Sequence, residues 1–280
     1  MVYTINKVAI LLGFCLLCVC LCACSNIKQP QCYTEKVHKE TVINGLLIEE
    51  HSITVEYQNK ERMHNQAYLN ALIKFPQISD MNENIAQDKT NRLLKHVAFE
   101  SISHTDINET LKLFNGIVHG SLSKEVWSGE NEYKIIYIGN KNISLNYTGD
   151  SFFGGAYPSH FSNYVTISLS NGKLISFTDY FSKDTLVESI TSKKFEWIEG
   201  QYTGGYKGNE PEVISEFVKA LKQLSNLDTE SNISDSSSAI YNSASTYNFA
   251  MDEQFVYIGI PFNDSLDGYI TLKFNRNDLN

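Results

Sequence analysis

Residues 133–177 decide the fold, and they read YKIIYIGNKNISLNYTGDSFFGGAYPSHFSNYVTISLSNGKLISF. Four stretches within this segment have the apolar or alternating pattern of β-strands: Tyr133–Ile138, Ile143–Tyr147, Tyr164–Leu169 and Leu174–Phe177. Glycine and asparagine, which favour tight turns, stand between the first and second stretches and again between the third and fourth. The segment therefore predicts two β-hairpins in succession.

Toward the N-terminus, the sequence predicts two or three strands followed by a long helix. Alternating apolar residues mark extended segments on either side of Asn44–Gly45, a dipeptide typical of hairpin turns, and a third run covers Ala67–Phe75. Asp80–Glu83 has the composition of a helix capping box. Apolar residues then recur with helical spacing, which predicts a helix over residues 82–103.

Toward the C-terminus, two helices and three strands are predicted. The helices cover Ser182–Ile198 and a segment from Asn209 to Leu224 that carries Pro211 in its first turn. The closing strands are Tyr247–Met251, Phe255–Phe262 and Tyr269–Phe274.

This order of elements defines the expected fold class. Strands, a helix, strands, helices and strands, joined by short hairpins, predict an α+β protein with antiparallel sheets and helices packed on one side. We expect two interdependent subdomains, an N-terminal one at residues 37–150 and a C-terminal one at residues 151–280.

Composition excludes several classes of function. The 280 residues include 23 Lys plus Arg against 32 Asp plus Glu, a formal charge of −9, and no basic run. Neutralising the phosphates of a nucleic acid requires clustered basic residues, so no nucleic-acid partner is expected. The 42% content of hydrophobic residues is enough to form a buried core.

The first 23 residues have the organisation of a signal peptide. Lys7 precedes an apolar stretch, Val8–Ala23, that is shorter than the ~20 residues needed to span a bilayer. The sequence Leu21-Cys22-Ala23-Cys24 resembles the bacterial lipobox, which implies that Cys24 is lipidated after cleavage. Membrane lipid is then a partner, residues 24–36 form a tether, and the body is anchored outside the cytoplasm. Ordinary secretion and an uncleaved helix are the alternatives.

No catalytic or metal-binding motif is apparent. The seven histidines contain no HExxH-like pair, so no metal and no cofactor are expected. Ser159-His160 lacks the flanking glycines of a nucleophile elbow. The sequence does not exclude that Asp150 and Asp179 approach each other and form a carboxylate pair of the kind that glycosidases use.

Two glycine-bearing loops are candidates for ligand binding. In the first, Gly154, Gly155 and Pro158 have a structural role, whereas Tyr157, His160 and Phe161 are candidate ligand-binding residues. In the second, residues 197–207, the candidates are Tyr202 and Tyr206. Exposed aromatic side chains on loops stack on sugars or anchor in protein pockets, but packing within the protein is the alternative for both loops.

These segments resemble a known pair of domains of unknown function, DUF4163-like and DUF3298-like. The resemblance is carried by Tyr147–Pro158, which ends in GGAYP, by Leu169–Phe181, by the IKFPQI segment at Ile73–Ile78 and by Phe255–Phe262. Such domains occur in a lysozyme-sensing anti-sigma factor and beside the catalytic domain of a peptidoglycan deacetylase. The family usually has histidine where this chain has Tyr157.

The resemblance implies a fold and an envelope setting, and no reaction. We therefore expect a non-enzymatic binding module on a bacterial surface, with a lysozyme-like protein or peptidoglycan as partner. An accessory or catalytic component of peptidoglycan modification is one alternative, and a structural envelope lipoprotein is another. Without Lys7 the predicted mature chain has a formal charge of −10, which suits a basic partner through electrostatic steering.

Overall fold

The computed structural model describes residues 33–58, 68–81, 84–103, 126–152, 158–199, 215, 218, 248–261 and 269–280. In chain order they form β1 (Tyr33–Ile43), β2 (Leu46–Gln58), β3 (Tyr68–Ser79), α1 (Asn84–Ser103), β4 (Val126–Ile138), β5 (Asn142–Phe152), β6 (Ser159–Ser168), α2 (Lys183–Thr191), β7 (Glu196–Glu199), β8 (Asn248–Met251), β9 (Phe255–Pro261) and β10 (Tyr269–Asn275). Short 3-10 helices cover Phe177–Asp179 and Arg276–Asp278. The α+β class is confirmed.

The first sheet has six strands in the order β1-β2-β3-β4-β5-β6. Neighbouring strands are antiparallel except β3 and β4, which pair in parallel from Tyr68 opposite Val126 to Leu72 opposite Glu130. A parallel pair needs a crossover connection, and α1 lies between these two strands in the chain. The expectation of antiparallel sheets is therefore corrected at this one pair, because a helix rather than a hairpin joins the strands.

Two of the predicted hairpin turns take left-handed backbone conformations. Asn44 and Gly45 have φ of 51° and 82°, and β1 and β2 pair on either side of them. Gly172, in the turn after β6, has φ of 65° and packs so closely on α1 that an added Cβ would clash with Lys89 Cβ. Glycine is therefore required at position 172 both by its conformation and by its contact with the helix.

Two predicted elements are shorter than expected. The strand predicted at Leu174–Phe177 is reduced to a single bridge between Ile167 and Leu174, because Ser176 and Asp179 form a capping box that starts a 3-10 helix. The helix predicted at Ser182–Ile198 begins after its Ser182 N-cap and ends at Thr191. Lys193 then adopts a φ of 57°, which interrupts the helix before β7.

The start of β1 and the division of the sheets differ from the predicted boundaries as well. β1 begins at Tyr33, within the range expected for the tether. The boundary expected between residues 150 and 151 falls inside β5, and β6 is the last strand of the first sheet. Of the helix predicted from Asn209, only residues 215 and 218 are described, and both are helical.

Helix α1 covers one face of the first sheet and forms the main core with it. Leu94, Val97 and Ile102 are fully buried in the same hydrophobic cluster as Phe75 on β3 and Tyr147 on β5. The Tyr147 hydroxyl donates a hydrogen bond to the Leu94 carbonyl at 3.1 Å, so the buried phenol is also satisfied. Among the described residues, no helix has the length and apolar character needed to span a bilayer.

β3 continues past the end of its pairing with β4, and two asparagine side chains take the place of the missing strand. The side chain of Asn131 accepts from Lys74 N at 2.7 Å and donates to Lys74 O at 2.9 Å. Asn91 on α1 accepts from Ile78 N at 2.8 Å and donates to Ile78 O at 2.9 Å. Pro76, halfway between, has no N–H to satisfy, which explains why a strand tolerates proline here.

The second sheet has four antiparallel strands in the order β7-β10-β9-β8. It encloses a separate core with α2, in which Leu186 and Ile190 pack with Phe177 and Ile258. Strand β8 lies on the face of the first sheet opposite α1. There, Thr166 donates to Phe249 O at 3.3 Å. The N–H of Met251 donates to Ser144 Oγ, also at 3.3 Å. Hydrogen bonds thus join the two sheets.

Candidate functional site

The structure describes only part of the site predicted from the sequence. Cys24, Gly154, Gly155, Tyr157, Tyr202 and Tyr206 lie outside the described residues. Pro158, His160 and Phe161 are described, and they are the residues from which the site can be built.

His160 lies on β6 directly opposite Asp150 on β5, on the face of the sheet away from α1. Its Nδ1 contacts the Asp150 carboxylate, and both side chains are about half exposed, at 49% and 50%. His160 is therefore about half exposed to solvent, with its ring in contact with a carboxylate. Because antiparallel partners on one face have Cβ atoms about 5 Å apart, the pairing follows directly from the register.

Phe161 lies in the core, which corrects the expectation that it faces a ligand. It is 7% exposed and belongs to the cluster under α1. Alternation along β6 explains the difference, since neighbours in a strand point to opposite faces. Its ring packs over Gly149 on β5, where an added Cβ would clash with the Glu130 carbonyl. Phe161 therefore covers backbone that has no side chain of its own.

The register of the first sheet places two rows of side chains beside the His160 pair. The first row crosses four strands: Leu72 on β3 is opposite Glu130 on β4, which is opposite Asp150, which is opposite His160. The second row, one step toward the end of the sheet, consists of Asn70, Ser128 and Phe152. Since both rows share one face, they form a continuous surface of carboxylate, amide, hydroxyl and apolar groups.

An open groove of about 510 Å³ lies over these rows. It is lined by Asn70, Leu72, Ser128, Gly129, Glu130, Asp150, Ser151, Phe152 and Pro158. We name it the carboxylate groove. Phe152 and Pro158 both line it, and the chain segment that joins them contains Tyr157. Both residues that flank residues 153–157 of the predicted GGAYP loop therefore lie at the carboxylate groove.

The electrostatics of the carboxylate groove are set by Glu130 and Asp150. Two like charges directly opposite on neighbouring strands repel each other by a few tenths of a kcal/mol or more. The Asp150 carboxylate is in contact with the His160 ring, and within the described ranges no lysine or arginine contacts Glu130. The next carboxylate on β4, Glu132, is already paired with Lys74. A positively charged ligand group in the groove would relieve the repulsion at Glu130.

In the structure, the carboxylate that lies opposite Asp150 belongs to Glu130 and not to Asp179, which the sequence had suggested. The Asp179 carboxylate accepts a hydrogen bond from Ser176 N at 2.8 Å and so caps the 3-10 helix. The residue opposite Asp150 is Glu130, whose position in an alternating polar strand gave no sign of a site. Within the described part of the chain, no group of three histidine, cysteine or acidic side chains is placed to hold a metal ion.

The solved structures to which this chain is similar include two DUF3298 family proteins. One is a member of the DUF3298 family from Bacteroides fragilis and the other is a DUF3298 family protein from Pseudomonas aeruginosa, with TM-scores of 0.45 and 0.43. Each is 10% identical in sequence, and each alignment covers 82% of this chain and 91% of the other. No family model matches the sequence, and no curated protein matches it.

Proposed function

We propose that the protein is a bacterial surface lipoprotein whose body is a non-enzymatic binding module for a basic partner of the cell envelope. The observation that carries the proposal is the carboxylate groove, in which Glu130 and Asp150 lie side by side next to the apolar Leu72 and Phe152. A lysine or arginine side chain suits such a groove, because its stem packs on apolar surface while its head meets a carboxylate.

A lysozyme-like protein is the partner that this chemistry favours. The predicted mature chain loses Lys7, so its formal charge changes from −9 to −10, and a basic protein approaches such a body by electrostatic steering. Tyr157 in the predicted loop and His160 at the rim of the groove provide further contacts under this proposal. Peptidoglycan, whose peptide stems carry amino groups, is the other partner to test.

The test is capture of lysozyme and of insoluble peptidoglycan by the full-length protein, measured in parallel. The double variant Glu130→Gln and Asp150→Asn should lose lysozyme binding by at least about tenfold, the equivalent of about 1.4 kcal/mol. The single variant Glu130→Gln is compared with its matched control Glu132→Gln, which removes one charge from the same strand at a carboxylate paired with Lys74. Binding that falls equally in the control would show attraction by net charge alone, and binding of neither partner would overturn the proposal.

The same two carboxylates support a second candidate, a hydrolase that acts on peptidoglycan. Directly opposite positions on antiparallel strands place the Cβ atoms about 5 Å apart, which is compatible with the roughly 5 Å carboxyl separation of a retaining glycosidase. In that case Glu130 and Asp150 would act as acid and nucleophile. Release of reducing ends from peptidoglycan by the wild type, and its loss in Glu130→Gln alone, distinguishes catalysis from binding.

A further inference from the structure

The first half of β1 is attached to the body through a cluster of charged side chains. β1 is the edge strand of the first sheet and, among the described strands, pairs with β2 alone. A register shift between Val37 and Lys39 divides the strand in two. The second half is joined to β2 by the tight turn at Asn44–Gly45, whereas the first half, Tyr33–Val37, lies far from that turn.

His51 on β2 lies between two carboxylates. Its Nδ1 is 3.5 Å from Glu35 Oε1 on β1, and its Nε2 is 3.4 Å from Glu49 Oε2 on β2. A neutral imidazole carries no charge, so only the protonated ring attracts both carboxylates; the contact between Nδ1 and Glu35 is an ion-pair contact without hydrogen-bond geometry. The His51 side chain is 16% exposed, which limits the screening of these contacts by water.

Glu35 is also held from the helix. Lys95 Nζ on α1 lies 3.2 Å from Glu35 Oε2 and 5.3 Å from the centre of the Phe75 ring on β3. The His51 ring stacks on the same phenylalanine, with ring centres 5.8 Å apart. Glu35 on β1 therefore meets two cations, one from β2 and one from α1, when His51 carries its proton.

We propose that His51 is a protonation-dependent latch for the first half of β1. With the proton on His51, Glu35 is held by both His51 and Lys95. Without it, Lys95 alone remains, while the Glu35 and Glu49 carboxylates face a neutral ring. The strand segment Tyr33–Val37 then separates from β2 more often and exposes the β2 edge at Ser52–Val55. This inference is independent of the proposed function.

The pKa values of the cluster agree with this geometry. Contact with Glu35 raises the pKa of His51 above its usual 6.5, with Glu49 adding to the effect and burial opposing it. Contact with His51 and then with Lys95 lowers the pKa of Glu35, again against burial. Because the folded-state pKa of His51 is raised, its stabilisation is complete below about pH 6.5 and is lost as the pH rises through the folded value. The latch is therefore closed at mildly acidic pH and open at alkaline pH.

Hydrogen–deuterium exchange of the full-length protein at pH 6 and pH 9 tests the latch, after correction for the intrinsic exchange rate at each pH. Protection of peptides covering residues 33–37 should fall about two- to fivefold at pH 9, the range that partly exposed ion pairs give. Protection of residues 39–43 should not change. In His51→Gln the difference between the two pH values should disappear.

The matched control is His38→Gln on β1. His38 Nε2 contacts the Ser52 hydroxyl at 2.6 Å, and a hydroxyl bonds equally to a ring nitrogen that donates or accepts. This variant should therefore keep the pH response of the wild type. A response that persists in His51→Gln overturns the proposal, as does a response of equal size in residues 39–43. If His51→Gln does not fold, Glu35→Gln removes the carboxylate from the β1 side and must abolish the response in the same way.

Discussion

The side chain of Asn131 replaces a missing strand at the open side of β3, and its removal should destabilise the whole first sheet. Asn131 is 1% exposed and makes two hydrogen bonds to the main chain of Lys74. Leucine has a similar size and no polar atoms, so Asn131→Leu leaves the Lys74 N–H and C=O without their partners. Because Asn131 itself is buried, water replaces those bonds poorly.

The size of the effect follows from the number of groups left unpaired. Each buried main-chain group that loses its partner costs about 1–3 kcal/mol, so the free energy of unfolding should fall by about 2–6 kcal/mol. That is a large part of the 5–15 kcal/mol typical of a folded domain. Equilibrium unfolding in urea, followed by circular dichroism, measures the difference. Asn131→Asp should also lose stability, because its second oxygen faces the Lys74 carbonyl without a donor.

The control for this prediction is Asn140→Leu, at an exposed position in the turn between β4 and β5. We expect a change of no more than about 0.5 kcal/mol there. If Asn131→Leu unfolds at the same urea concentration as the wild type, with an unchanged slope, the idea that asparagine side chains complete the edge of β3 is refuted.

Three further predictions follow from other parts of the chain. Gly172→Ala should lower the free energy of unfolding by at least about 1–2 kcal/mol, because φ is 65° and the added Cβ meets Lys89 Cβ; an unchanged melting temperature would contradict this. The pKa of Glu35 is lowered in the folded protein, so its ionised form stabilises the fold above about pH 4.5, and this stabilisation should be lost as the pH falls through the folded-state pKa. In a plot of the free energy of unfolding against pH, Glu35→Gln should therefore reduce the slope on the acid side. Cys24→Ala should abolish incorporation of labelled fatty acid, and equal labelling of both proteins would remove the lipoprotein proposal.

The turns at Asn44–Gly45 and Gly172 were predictable because their causes are local, although the strand expected after Gly172 is only a single bridge. Asn44–Gly45 and the turn containing Gly172 need left-handed conformations that glycine and asparagine tolerate, and alternating side chains on either side select a strand. The Ser182 N-cap was likewise evident as the start of a helix. The end of α2 was not, since the residues after Thr191 keep an apolar spacing that suits either a helix or the short strand β7.

The parallel pairing of β3 and β4 was decided by the tertiary structure. No residue near Leu72 or Glu130 signals a parallel neighbour, because the pairing is formed across a helix that packs on the sheet. The completion of the open side of β3 beyond Leu72 has the same origin. It depends on Asn91 from α1 and Asn131 from β4, which come from other elements of the chain and meet the strand only after folding.

The carboxylate groove was predictable in part from the sequence and in part only from the tertiary structure. The sequence by itself identified the GGAYP loop and His160, since glycine and proline are typical of loops and His160 lies close to them in the chain. The sequence could not show that His160 is exposed and Phe161 is buried, because the buried face of β6 is the face on which α1 packs. Nor could it join Glu130 to Asp150, twenty residues apart in the chain. Register is a property of paired strands. Which residues lie opposite one another across a sheet is therefore determined only when the strands pair.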